Sequence, residues 1–337
     1  MRKRVAAGVG FAALLFLLVQ LGALALVPTF YEQGYQTVED PSDPTNSLVY
    51  IGAILVATAL MLAAFKFDLD WIVRGFVVLA AASIAWYVFS VLLPPLAAIG
   101  ASVALAALLV VHPEWYVIDA AGVVMGAGAA GLFGISFGLL PALLLLSVLA
   151  VYDAISVYGT EHMLDLAEGV MDLNLPVVLV VPTTLSYSLA DARSEAIEGD
   201  SEGEVDDSDE RESDDSADEE NGDDKDVPAN GEDEEDVRDA FFIGLGDAVI
   251  PTVLIASAAF FLDPSLAPSL GVPGLPALTL PALTAMIGTF AGLFALLWMV
   301  LKGRAHAGLP LLNGGAILGY LLGALASGVP LLTALGL

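Results

Sequence analysis

Apolar runs about as long as a bilayer is thick recur from one end of this sequence to the other. A helix needs about 20 mostly apolar residues to cross the hydrocarbon layer. Nine such runs lie at 5–27, 48–65, 71–93, 96–111, 115–135, 139–159, 240–262, 282–301 and 309–335. With 57% hydrophobic residues and a mean hydropathy of +0.80, the chain has more apolar surface than a water-soluble domain can hide. Helices that satisfy their own backbone are the solution open to it in lipid. The expected fold is therefore an all-α polytopic membrane protein with nine transmembrane helices. The first run follows Met-Arg-Lys-Arg and contains Ala23-Leu24-Ala25, as a cleavable signal would. At 23 residues it is too long for a signal's apolar region, so a retained helix is expected.

The distribution of charge fixes direction. All eleven basic residues (Arg2, Lys3, Arg4, Lys66, Arg74, Arg193, Arg211, Lys225, Arg238, Lys302 and Arg304) fall in or beside segments that nine spans place on one side. Cytoplasmic loops carry the excess of Lys and Arg, which puts the N-terminus inside and the C-terminus outside. Dropping one span would scatter the basic residues over both faces. The division that follows is helices one to six over 1–159, a cytoplasmic loop over 160–239, and helices seven to nine over 240–337. Most of the net charge of −29 sits in that loop, where residues 191–239 hold 25 acids and 4 bases. The stretch at about 191–237 has no aromatics and few aliphatics, so it is expected to be a disordered, solvated linker. Its acidity suits a high-salt cytoplasm.

Two aspartates interrupt the apolar runs, Asp153 in the sixth and Asp247 in the seventh. An ionisable side chain inside a span is costly and marks function by default. Asp153 lies about six residues from the inner end of its run and Asp247 about seven from the same face, so both sit roughly 10 Å below the cytoplasmic surface. Consecutive antiparallel helices then bring them to one depth. Two carboxyls within a few Å share one proton. One can take a proton from water while the other polarises a carbonyl, as in aspartic proteases. The same acids could instead bind protons or ions in a transporter or channel, although no internal repeat is evident and neither acid is at the midplane. Gly244 and Gly246 allow another backbone to come close. Leu245 lies between them, Pro251 disturbs the helix beyond, and Tyr152 puts a ring and a hydroxyl beside Asp153.

Tyr152-Asp153 and Gly244-Leu245-Gly246-Asp247 resemble the YD and GxGD motifs of the presenilin and signal peptide peptidase intramembrane aspartyl proteases. Nine spans with the acids on the sixth and seventh, separated by a long cytoplasmic loop, is also that family's layout. Gly244 to Pro251 and the Pro-flanked apolar stretch Leu175 to Pro182 are similar to the signal peptide peptidase branch. The family's Pro-Ala-Leu motif opens its last helix. Literal copies here, at 141–143, 276–278 and 281–283, do not open the last run. The positional equivalent is Pro310-Leu311-Leu312, with Leu in place of the small Ala and Gly308 two residues before. The resemblance implies an aspartic endopeptidase that cuts transmembrane segments or signal-peptide-like peptides, with Asp153 and Asp247 catalytic. Gly244, Leu245, Gly246, Gly308, Pro310, Leu311 and Leu312 would shape its cleft. It implies no cofactor and no metal, and its partners are membrane-embedded substrates and lipid, not nucleic acid. Obligate partner subunits are not implied, and the acidity points to an archaeal, halophilic source.

The stretch Leu175–Pro182 is Val-rich and too short to span, which suits a strand that either covers helix ends or pairs with substrate backbone. Gly134-Ile135-Ser136-Phe137-Gly138 is a literal G-x-S-x-G, but it lies in an outer turn and not in the strand-turn-helix that a serine nucleophile needs. His112, His162 and His306 are dispersed at loop ends, with no zinc-protease spacing. With no cysteine in the chain, disulfides and thiolate chemistry are excluded. Asp119, a few residues inside the fifth run, is expected to be interfacial and hydrated, or otherwise to make an accessory polar contact.

Overall fold

Proline and glycine set many of the helix boundaries. The computed structural model describes residues 2–67, 69–159, 177–182, 187–189, 240–302 and 307–337. Six helices come first: α1 (Arg2–Glu32), α2 (Thr45–Lys66), α3 (Asp70–Leu92), α4 (Pro95–Val111), α5 (Trp115–Ser136) and α6 (Leu139–Gly159). Strands β1 (Val178–Pro182) and β2 (Ala240–Gly244) follow. The chain closes with α7 (Leu245–Phe261), α8 (Leu280–Val300), α9 (Gly308–Ala326) and the short α10 (Leu331–Ala334). Pro95 and Pro281 stand in first turns, where a missing N–H leaves nothing unpaired. Among the described residues seven helices are long and apolar enough to cross a membrane, while α4 and α7 are shorter apolar helices of 17 residues. The acidic tract lies outside the described residues.

Two runs differ from their expected outlines. The run at 240–262 opens with five residues of strand before its helix starts at Leu245. Ala240-Phe241-Phe242-Ile243 is rich in residues that favour strands, and it pairs with the equally apolar Val178–Pro182. The run at 309–335 breaks after Ala326, where Gly328 takes a left-handed φ of +81°. The short α10 then folds back, and Tyr320 donates its buried hydroxyl hydrogen to the Ala334 carbonyl at 2.6 Å.

Helices α1, α5 and α7 form the centre. Leu254, Ile255 and Ala256 of α7 are fully buried, as are Phe16 and Val19 of α1. Leu60 of α2, Phe76 of α3 and Leu96 of α4 point outward at 66%, 70% and 86% exposure, an arrangement that suits hydrocarbon and not water. α8 and α9 meet backbone to backbone. A side chain at Gly288 would collide with the Gly315 carbonyl, and one at Gly315 with the Gly288 carbonyl. Small residues permit this close approach between membrane helices.

The two strands form an antiparallel ribbon with Val178 opposite Gly244 and Val180 opposite Phe242. The Leu245 amide donates to the Val177 carbonyl at 2.8 Å, which makes 177 and 245 a hydrogen-bonded pair. Hydrogen-bonded and non-bonded pairs alternate along an antiparallel ladder. Val178, Val180 and Pro182 therefore direct their backbone groups away from β2, and Gly244, Phe242 and Ala240 direct theirs away from β1. The middle of β1 is buried, while Phe242 on β2 is 44% exposed.

Candidate active site

Asp153 lies one and a half turns before the end of α6, and Asp247 is the third residue of α7. Asp247 is thus in a helix first turn and not seven residues deep in a helix, because Gly244 ends β2 and serves as the residue before the helix. The entry to α9 brings the two acids together. The Leu309 amide donates to Asp153 Oδ2 at 3.0 Å. The neighbouring Gly308 faces Asp247: a methyl group there would sit 3.1 Å from Oδ2 and 3.3 Å from Oδ1. One dipeptide, Gly308-Leu309, therefore lies against both acids, and an N–H of the first turn of α9, which has no partner within the helix, goes to Asp153.

A second tie fixes that dipeptide. Asn313, one turn into α9 and fully buried, donates from Nδ2 to the Leu146 carbonyl of α6 at 2.9 Å. Leu146 lies two turns before Asp153 on the same helix. The pairs 153 with 309 and 146 with 313 hold α6 and α9 in one antiparallel register. At the same corner the Ala307 amide donates to the Tyr158 hydroxyl at 3.4 Å.

The residues singled out in the sequence divide into groups. Gly244 and Gly246 are exposed beside Asp247, and a methyl group at Gly246 would meet nothing within 4 Å. Leu245 is buried against α1 and α5, so it anchors the helix start. Pro310 and Leu311 are partly buried, and Leu312 is fully buried in a core cluster with Phe16 and Val19. It is Gly308 that meets an acid, ahead of the Pro-Leu-Leu triplet. Tyr152 is 43% exposed with no hydrogen bond to either acid among the described residues; Tyr158 is the tyrosine that reaches this corner. Leu309 acts through a backbone amide, which no side-chain pattern reveals. Asn313 was detectable, as a lone amide in an apolar run.

Of the motifs set aside, Ser136 ends α5, buried, and its Oγ accepts from the amide and the hydroxyl of Thr37. His112 pairs with the Tyr116 hydroxyl at 2.6 Å, and His162 and His306 lie outside the described residues. Asp119 makes a polar contact and does not face solvent: it is 3% exposed, because β1 folds over it and its Oδ1 accepts from the Val180 amide at 2.7 Å.

Comparison with known proteins places the chain in a family. The signal-peptide peptidase, presenilin aspartyl protease family matches residues 13–329. No curated protein matches. A presenilin family intramembrane aspartate protease, solved in space group C222, is 30% identical with a TM-score of 0.60, covering 94% of this chain and 99% of that one. A second structure of a presenilin family intramembrane aspartate protease, in space group P2, is 30% identical with a TM-score of 0.57, covering 93% of this chain and 96% of that one. A helical bundle with several membrane-spanning helices, similar over nearly its whole length to these structures, has the architecture of an intramembrane aspartate protease. The chain belongs to the signal-peptide peptidase and presenilin family of these enzymes. The ion or proton carrier reading finds no support in these relatives.

Proposed function

We propose that the protein cleaves peptide bonds within transmembrane segments of membrane proteins or signal-peptide-like peptides, using Asp153 and Asp247 as one acid–base pair. The observation that carries this reading is the Gly308-Leu309 dipeptide in contact with both carboxylates. Two acids so placed share a proton: the ionised one takes a proton from water, and the protonated one polarises the scissile carbonyl. Nine spans, with the N-terminus in the cytoplasm and the C-terminus outside, put the pair near the cytoplasmic face.

A substrate helix protects its peptide bonds by hydrogen bonding, so it must unwind before it is cut. The edge of β2 suits the unwound segment. Its outward groups belong to Ala240, Phe242 and Gly244, it ends three residues before Asp247, and Gly244 and Gly246 leave space beside it. An extended peptide added there gains backbone hydrogen bonds irrespective of its sequence. The edge of β1 is less suited, since Val180 gives its outward N–H to Asp119 and Pro182 has none.

Purified protein in bilayer or detergent, offered a membrane-spanning peptide, tests the proposal. Wild type yields defined products, and Asp153→Asn and Asp247→Asn each abolish them. Cleavage that survives either substitution would rule out the pair.

A further inference from the structure

Asp119 is a buried carboxylate that the two-aspartate chemistry does not use. It lies in the second turn of α5, 3% exposed. One oxygen accepts the Val180 amide at 2.7 Å, and Oδ2 has no hydrogen-bond partner among the described residues. Keeping an acid in such a place is costly unless its one bond matters. That bond falls on the outer side of β1, where a third strand would otherwise attach. Val180 stands opposite Phe242, two residues before the Gly244 that opens α7 and five before Asp247. The same end of α5 also grips the chain beyond β1: Glu114 accepts from the Ser188 hydroxyl at 3.1 Å and the Leu189 amide at 3.3 Å. Around them Ile118, Val180, Leu189 and Ala240 form one buried cluster.

We propose that Asp119 is a positioning residue for cleavage. It closes the outer edge of β1 and fixes the ribbon against α5. Peptide then has the edge of β2 alone to join, in one register relative to Asp247. The inference rests on the proteolytic reading and adds to it a determinant of where the substrate is cut.

Three variants of the full-length protein test it. Asp119→Asn keeps an acceptor of the same shape, Asp119→Leu removes it, and Val180→Pro removes the donor without touching the β1–β2 ladder. With a membrane-spanning peptide, Asp119→Asn cuts at the wild-type bond with kcat within about threefold. Asp119→Leu lowers kcat about tenfold or more and spreads the product ends over neighbouring bonds, as expected when reacting groups are misplaced. Val180→Pro does the same, and the double variant is no worse than the poorer single one, because both remove one interaction. Amide hydrogen exchange, read without substrate, speeds up in 178–182 and 240–244 of Asp119→Leu, while the central helices and Asp119→Asn are unchanged. Additive losses in the double variant, Asp119→Asn as impaired as Asp119→Leu, or unchanged exchange and product ends in Asp119→Leu would each overturn the proposal. Wild-type protein that cuts no peptide defeats the proteolytic reading instead, whatever the exchange experiment shows.

Discussion

Of the single residues, Gly308 is the one on which the proposed pair turns. Its Cα faces Asp247 while the amide of the next residue holds Asp153, so one backbone step spans both acids. Glycine is needed there for space and not for a left-handed conformation: a Cβ at 3.1 Å from Oδ2 would press on the carboxylate. Gly308→Ala is expected to lower kcat by about tenfold to a hundredfold, the usual penalty for displacing a catalytic group by a fraction of an ångström to an ångström. Peptide cleavage measures it, and an unchanged thermal midpoint separates the effect from misfolding. The sequence named Gly308 by its place beside a motif. It could not name Leu309, whose contribution is an amide that every residue but proline has.

Among the elements, the ribbon of β1 and β2 matters most for the site. Val-rich Leu175–Pro182 reads as a strand in the sequence, and Val178–Pro182 is one. Its partner was hidden, since Ala240–Gly244 is apolar enough to pass for the start of a membrane helix. Strand and buried helix share that composition, and only a pairing partner distinguishes them. The substitution Phe242→Pro removes an outward N–H from β2 and leaves the ladder to β1 intact. KM for a membrane-spanning peptide is expected to rise several-fold, in line with about 1 kcal/mol for one backbone hydrogen bond, with a smaller change in kcat. An unchanged KM would direct the search for the peptide's docking edge elsewhere.

For the molecule as a whole, the helices divide into a buried centre and a lipid-facing shell. The centre holds α1, α5 and α7; the shell of α2, α3 and α4 turns large apolar side chains outward. The acidic tract between β1 and β2 is poor in apolar residues. A variant lacking residues 200–235 is therefore expected to retain most of its cleavage rate in the same peptide assay. A dead but folded variant would give the tract a role beyond linking the two halves. Asp119 shows how the whole molecule overrides a local reading. Near the end of a membrane helix an acid is ordinarily hydrated, but β1, which follows it by about 60 residues, covers it and takes its bond.

By itself the sequence determined the helical membrane class, the two acids and their order, because lipid leaves a chain few ways to satisfy its backbone and makes each buried charge conspicuous. The tertiary structure decided what touches those acids. Gly308-Leu309 reaches them from a helix some 60 residues after one and 155 after the other, and the ribbon that opens α7 joins segments about 60 residues apart in the sequence. Such contacts come from backbone amides and from packing between distant segments, and neither leaves a mark in composition or spacing.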